Sequence, residues 1–170
     1  SEVGLYSVAF NLMEGTFFIP TIVMAAIFPG LSQAKQFSAY FRKGALLLTL
    51  SGIAGGGAVF LLADSIISWF FAAEFQNSAD ILRILAMAIP LVFWGYLMTQ
   101  SLVALDHNRI YLVITASGLL LNVLLNFWLI PDYGASGAAV ATVITEALIP
   151  LSCFLMIIKY HFSHSPVNVA

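Results

Sequence analysis

A chain of 170 residues that is 61% hydrophobic and only 8% charged, with a mean hydropathy of +1.00, cannot cover its own surface against water; soluble domains carry about 25% charge. The composition is that of a membrane protein, and a formal net charge of −2 gives no reason to expect nucleic-acid binding. The single cysteine, Cys153, excludes an internal disulfide, and the absence of a His/Cys cluster at ligand spacing gives no reason to expect a metal or a cofactor.

Five stretches reach the ~20 apolar residues that a helix needs to cross the hydrocarbon core. In lipid the backbone must satisfy its own hydrogen bonds, so each is read as a helix, and the expected fold class is an all-α membrane protein, a bundle of about five transmembrane helices. The first covers about 4–29 and is interrupted only by Glu14; the second covers 44–63 without a charge. The apolar run 66–73 is too short to cross, and either extends the second helix to 73 or lies at the interface with Trp69 as an anchor. The third, fourth and fifth cover about 81–105, 110–130 and 135–159. Pro20, Pro90 and Pro150 are expected to kink or locally unwind their helices. Between the fourth and fifth, Pro131-Asp132-Tyr133-Gly134 reads as a tight interfacial turn. Residues 161–170, with His161 and His164, read as a polar tail.

Five crossings sort the charges. Lys35, Arg42, Lys43, Arg109 and Lys159 fall on one face; Glu2, Asp64, Glu74, Asp80 and Asp132 fall on the other, with Arg83 as its only basic residue. The positive-inside rule then makes the basic face, and the C-terminus with it, cytoplasmic. Association inside lipid depends on close approach and interhelical hydrogen bonds. Gly52 and Gly56 form a GxxxG step, and Gly134, Gly137, Ala138, Ala141 and Thr142 form a second small-residue face.

No nucleophile stands beside a base, and the helix-two glycines lack the Lys-Ser/Thr of a phosphate loop, so an enzyme is not expected. The informative residues are the polar ones inside the membrane, which usually face a bundle interior or a wet cavity. Glu14 shares a helix face with Ser7 and Asn11. Asn122 and Asn126 stand four apart. Glu146 follows Thr142 by one turn, and Arg83 sits near the outer end of the third helix. Asn11, Glu14, Arg83, Asn122, Asn126 and Glu146 are therefore the candidate cavity residues. The plainer readings are interhelical hydrogen bonding for the asparagines and snorkelling for Arg83. A lone intramembrane acid needs water, a proton or a cation, and the sequence does not say which of these Glu146 finds.

Leu125-Asn126-Phe127-Trp128-Leu129-Ile130 followed by Pro131-Asp132-Tyr133-Gly134-Ala135-Ser136-Gly137-Ala138-Ala139-Val140-Ala141-Thr142 resembles a signature of the polysaccharide flippases. So do Val3-Gly4-Leu5-Tyr6-Ser7-Val8-Ala9-Phe10 with Ile27-Phe28-Pro29-Gly30-Leu31-Ser32, and Ala79-Asp80-Ile81-Leu82-Arg83-Ile84-Leu85-Ala86. These O-antigen-type exporters belong to the multidrug/oligosaccharidyl-lipid/polysaccharide exporter superfamily. The resemblance implies about twelve to fourteen helices in two lobes, of which this chain supplies five helices of the second. A first residue other than Met fits the expectation of a fragment whose first lobe lies elsewhere in the same protein. The implied activity is flipping of a lipid-linked oligosaccharide, a sugar on polyprenyl pyrophosphate, across the bacterial inner membrane by alternating access. The implied partners are that substrate, membrane lipid and the missing lobe. For Glu14 the resemblance suggests proton or cation coupling, or bonding to sugar hydroxyls. The alternatives are a cation-coupled drug antiporter of the same superfamily and a non-transporting membrane interaction subunit.

Overall fold

The computed structural model describes residues 2–162, with side chains to Tyr160. The expected polar tail beyond Phe162 lies outside the described residues. Helices α1 (Glu2–Glu14), α2 (Phe18–Leu31), α3 (Phe37–Phe70), α4 (Ser78–Ala86), α5 (Ala88–Ala104) and α6 (Asn108–Ile157) follow one another, with a 3-10 turn at Ala73–Phe75 and a π-helical turn at Ile158–Phe162. No strand occurs among the described residues. Leu61 and Phe127 are 80% and 77% exposed, and much of the remaining surface is equally apolar. Only lipid accommodates such a surface, and the chain is an all-α membrane protein.

Glu2–Leu31, Phe37–Phe70 and Asn108–Tyr160 are each long and apolar enough to cross a membrane, and α4 with α5 form a further such pair bent by 41°. Taken as one rod, the 50 residues of α6 would reach about 75 Å, more than twice the hydrocarbon thickness. It is not one rod. Gly134 takes φ 55° and ψ −135°, outside any helix. Residues then pair across it: the Asn122 amide meets Thr145, Gly118 lies against Ile149, and Gly137 lies against the Leu129 carbonyl. α6 is therefore an antiparallel hairpin with arms 108–133 and 135–157. The expected four-residue turn contracts to one residue, because helical conformation persists through Pro131, Asp132 and Tyr133. A positive φ there suits glycine alone.

Two prolines break their helices upstream of themselves. A proline ring conflicts with the carbonyl four residues earlier and offers no N–H to it. For Pro20 that carbonyl belongs to Thr16, and the chain leaves the α-helix at residues 15–17. Tighter bonds bridge the gap, from the Thr16 and Phe17 N–H groups to the Met13 and Glu14 carbonyls, both at 2.9 Å. The expected single helix over 4–29 is thus two helices, and Glu14 ends the first instead of lying mid-helix. For Pro90 the corresponding carbonyl is that of Ala86, where α4 ends and the chain bends. Pro150 differs from the expectation: the second arm of α6 stays helical through it.

Packing follows the small residues. The buried side of α3 is one stripe, Phe37, Phe41, Gly44, Leu48, Gly52, Gly56, Ala63 and Ile67. Gly52 and Gly56 seat it on the Pro90 bend: a Cβ on Gly52 would stand 2.9 Å from the Pro90 Cα, and one on Gly56 2.8 Å from the Ala86 carbonyl oxygen. The Trp94 indole N–H donates to Thr49 at 2.8 Å, a polar tie between α5 and α3. Helix α5 is the hub, packed on α2, α3 and α6.

Candidate functional site

The hairpin and α1 frame an open groove lined by polar and apolar side chains. Glu2 and Tyr6 stand one turn apart on α1, Asn122 and Asn126 one turn apart on the first arm, and Thr142 and Glu146 one turn apart on the second. Asn122 and Glu146 are equally distant in sequence from Gly134, so folding the hairpin brings them to one depth. An outer cavity of about 840 Å³ is lined by Glu2, Tyr6, Asn122, Asn126, Asp132 and Thr142 among others. An inner one of about 340 Å³ adds Thr115, Thr145, Glu146 and Ile149, and shares Tyr6, Asn122 and Thr142 with the first.

Hydrogen bonds order the walls. The Thr142 hydroxyl donates to the Ala138 carbonyl at 3.1 Å, so the Tyr6 hydroxyl, also 3.1 Å away, donates to Thr142. The Thr145 hydroxyl donates to the Ala141 carbonyl at 2.9 Å and accepts the Asn122 amide at 3.2 Å. The Asn126 amide donates to both the backbone and side-chain oxygens of Asn122, each at 2.9 Å. Glu146 is half-buried, and its carboxylate has neither a hydrogen bond nor an ion pair among the described residues. One of its oxygens lies close to Gly95 of α5. At the outer end the Glu2 carboxylate accepts the Ala135 N–H at 2.6 Å and covers the Gly134 turn.

Of the residues singled out from sequence, Asn122, Asn126 and Glu146 come together in this groove. Asn11 and Glu14, with Ser7, lie on the exposed side of α1 and line neither cavity. Arg83 is away from both, paired with Asp64 and, at 2.7 Å, with Asp80. Sequence reasoning missed Tyr6, Glu2 and Thr145 as wall residues. The signal was present, since Tyr6 repeats Glu2 at helical spacing and Thr145 adjoins Glu146, but it becomes legible only once the hairpin register is known.

No protein-family model matches the chain, and no solved structure matches it. It is 30% identical over 156 residues to the uncharacterized membrane protein MJ1375 of Methanocaldococcus jannaschii, an alignment covering 90% of this chain and 36% of that protein. Its relatives are membrane proteins. The chain is 29% identical over 157 residues to the probable low-salt glycan biosynthesis flippase Agl15 of Haloferax volcanii, covering 87% of this chain and 33% of the relative. It is 32% identical over 108 residues to the EPS I polysaccharide export inner membrane protein EpsE of Ralstonia solanacearum, covering 61% and 25%. The chain thus spans about a third of the length of the first two relatives and a quarter of the third. Two of the three names denote a flippase or an exporter, and none denotes a catalytic reaction.

Proposed function

We propose that the chain is part of the second lobe of a transporter that flips a lipid-linked oligosaccharide across the inner membrane by alternating access, for polysaccharide biosynthesis. What carries the reading is an open groove bearing polar side chains within an otherwise apolar bundle, in a chain similar to proteins named for glycan flipping and polysaccharide export. A sugar headgroup loses its hydration on entering the membrane, and cavity hydroxyls and amides offset that loss. Five crossings, with the arms of α6 counted as two, leave the C-terminus on the cytoplasmic face under the positive-inside rule. In this reading Ser7, Asn11 and Glu14 on the exposed side of α1 face the first lobe across the transport pathway, and Arg83 is an outer-face structural residue.

The test uses the complete protein containing this chain, reconstituted in vesicles with a fluorescent polyprenyl-pyrophosphate oligosaccharide. Protection of the sugar from an external glycosidase should change with time only in vesicles holding the protein. Equal rates in protein-free vesicles would overturn the proposal.

One observation favours a second reading. Glu2, Asp132 and Glu146 face the two cavities and, among the described residues, no Lys or Arg lines either of them, a charge balance suited to an organic cation. Export of a cationic dye by the same vesicles, without movement of the sugar lipid, would select it.

A further inference from the structure

Glu146 stands twelve residues beyond Gly134, about 18 Å along the second arm and therefore near the middle of a hydrocarbon core about 30 Å thick. A carboxylate there is costly unless it holds a proton or meets water or a cation. Among the described residues no cation reaches it. Water can. The inner cavity of about 340 Å³ is large enough to admit water. The hydroxyls of Tyr6, Thr115, Thr142 and Thr145 and the Asn122 amide give that water polar partners. The outer cavity shares Tyr6, Asn122 and Thr142 with the inner one and reaches Glu2 and Asp132 beside the Gly134 turn. In the opposite direction the second arm is closed by apolar contacts, with Pro150, Cys153 and Ile157 buried and Ile149 packed on Gly118.

We propose that Glu146 is a proton-binding site in mid-membrane, loaded through this column from the face that carries the Gly134 turn and sealed from the opposite face. A carboxylate oxygen of Glu146 takes the proton of a hydronium in the column and leaves a water; release is the reverse step. The titratable groups facing the column from packed elements are Tyr6 on α1 and, at its mouth, Glu2, Asp132 and Tyr133. The first arm presents Thr115 and Asn122, and α5 presents Gly95, none of which titrates. The site does not depend on the cargo and so extends beyond the transport reading.

The test is infrared difference spectroscopy on the complete protein, oriented in vesicles without substrate, following the C=O stretch of protonated carboxyl groups as pH is stepped on one side. A band that disappears in Glu146→Gln, shifts in Glu146→Asp and survives in Glu14→Gln is the expected result. It should follow the pH of the hairpin-turn side, and Asn122→Leu should slow its response by about tenfold or more, equivalent to about 1.4 kcal/mol on the barrier. A band that persists in Glu146→Gln, ignores the pH of that side, follows the opposite side or responds at an unchanged rate in Asn122→Leu would overturn the proposal. Because no substrate is present, a protein that passes here and fails to move sugar lipid overturns only the flipping reading.

Discussion

The carboxylate of Glu2 accepts the backbone N–H of Ala135 at 2.6 Å, so the first turn of α1 caps a helix that begins 133 residues later. An anion at a helix N-terminus satisfies a donor that the helix itself cannot, and complements the helix dipole. Removing such a cap costs about 0.5–2 kcal/mol, with the lower end expected at an exposed position such as this. Glu2→Ala should therefore lower the melting temperature of the complete protein in detergent, while Glu2→Gln, which keeps an acceptor, should recover most of the loss. Equal melting of Glu2→Ala and the parent would show that the cap contributes nothing.

Gly134→Ala should be worse than the loss of the cap. A non-glycine residue at φ 55° and ψ −135° carries strain of about 1–3 kcal/mol, and its Cβ would also enter the space held by the Glu2 carboxylate. Thermal melts of Gly134→Ala, Glu2→Ala and the double variant check this. The double variant should fall short of the sum of the two, since both single changes disturb one contact.

Gly56→Val tests the seat of α3 on the bend. A Cβ there would stand 2.8 Å from the Ala86 carbonyl oxygen, a backbone atom that cannot swing aside. The helices must separate, and destabilisation of about 1–3 kcal/mol is expected. Gly57→Val, where a Cβ meets nothing within 4 Å, should melt within about 0.5 kcal/mol of the parent.

Arg83→Met should change stability by less than about 1 kcal/mol, because both its carboxylate partners are largely exposed, at 61% for Asp64 and 81% for Asp80. The difference should shrink further in high salt. A loss of several kcal/mol in a denaturation experiment would show that the cluster is a structural clamp.

Glu14→Gln separates folding from function. Glu14 has no side-chain hydrogen bond or ion pair among the described residues, so melting should be unchanged. If Glu14 faces the transport pathway, the flipping rate in vesicles should fall. A wild-type rate under every ion gradient would remove Glu14 from the pathway.

The membrane class was plain from the sequence because 61% apolar composition leaves no alternative solvent. The packing role of Gly52 and Gly56 was also legible, since spacing alone puts them on one side of α3. The places where α1 and α4 end were less so. Pro20 and Pro90 marked a disturbance, but the disturbance acts through the carbonyl four residues upstream, and Pro150 shows that a proline need not break its helix. The groove was half visible. Asn122 and Asn126 declared a polar side of one arm, yet whether Glu146 met them depended on where the chain reversed. A reversal at Pro131 instead of Gly134 would have set a different register. Tyr6 was hidden for the same reason, because its partner Thr142 lies 136 residues away.

The one-residue hinge at Gly134 also bears on how this stretch can change over generations. Each residue of an α-helix advances the side chains by about 100°. A single insertion between Asn126 and Gly134 would turn Asn122 away from Thr145, and one between Gly134 and Thr142 would carry Thr142 off Tyr6. Length variation among descendants of this gene should therefore be purged from residues 118–149 and tolerated in connections such as 71–77, making the hairpin a ruler whose two halves keep a fixed register.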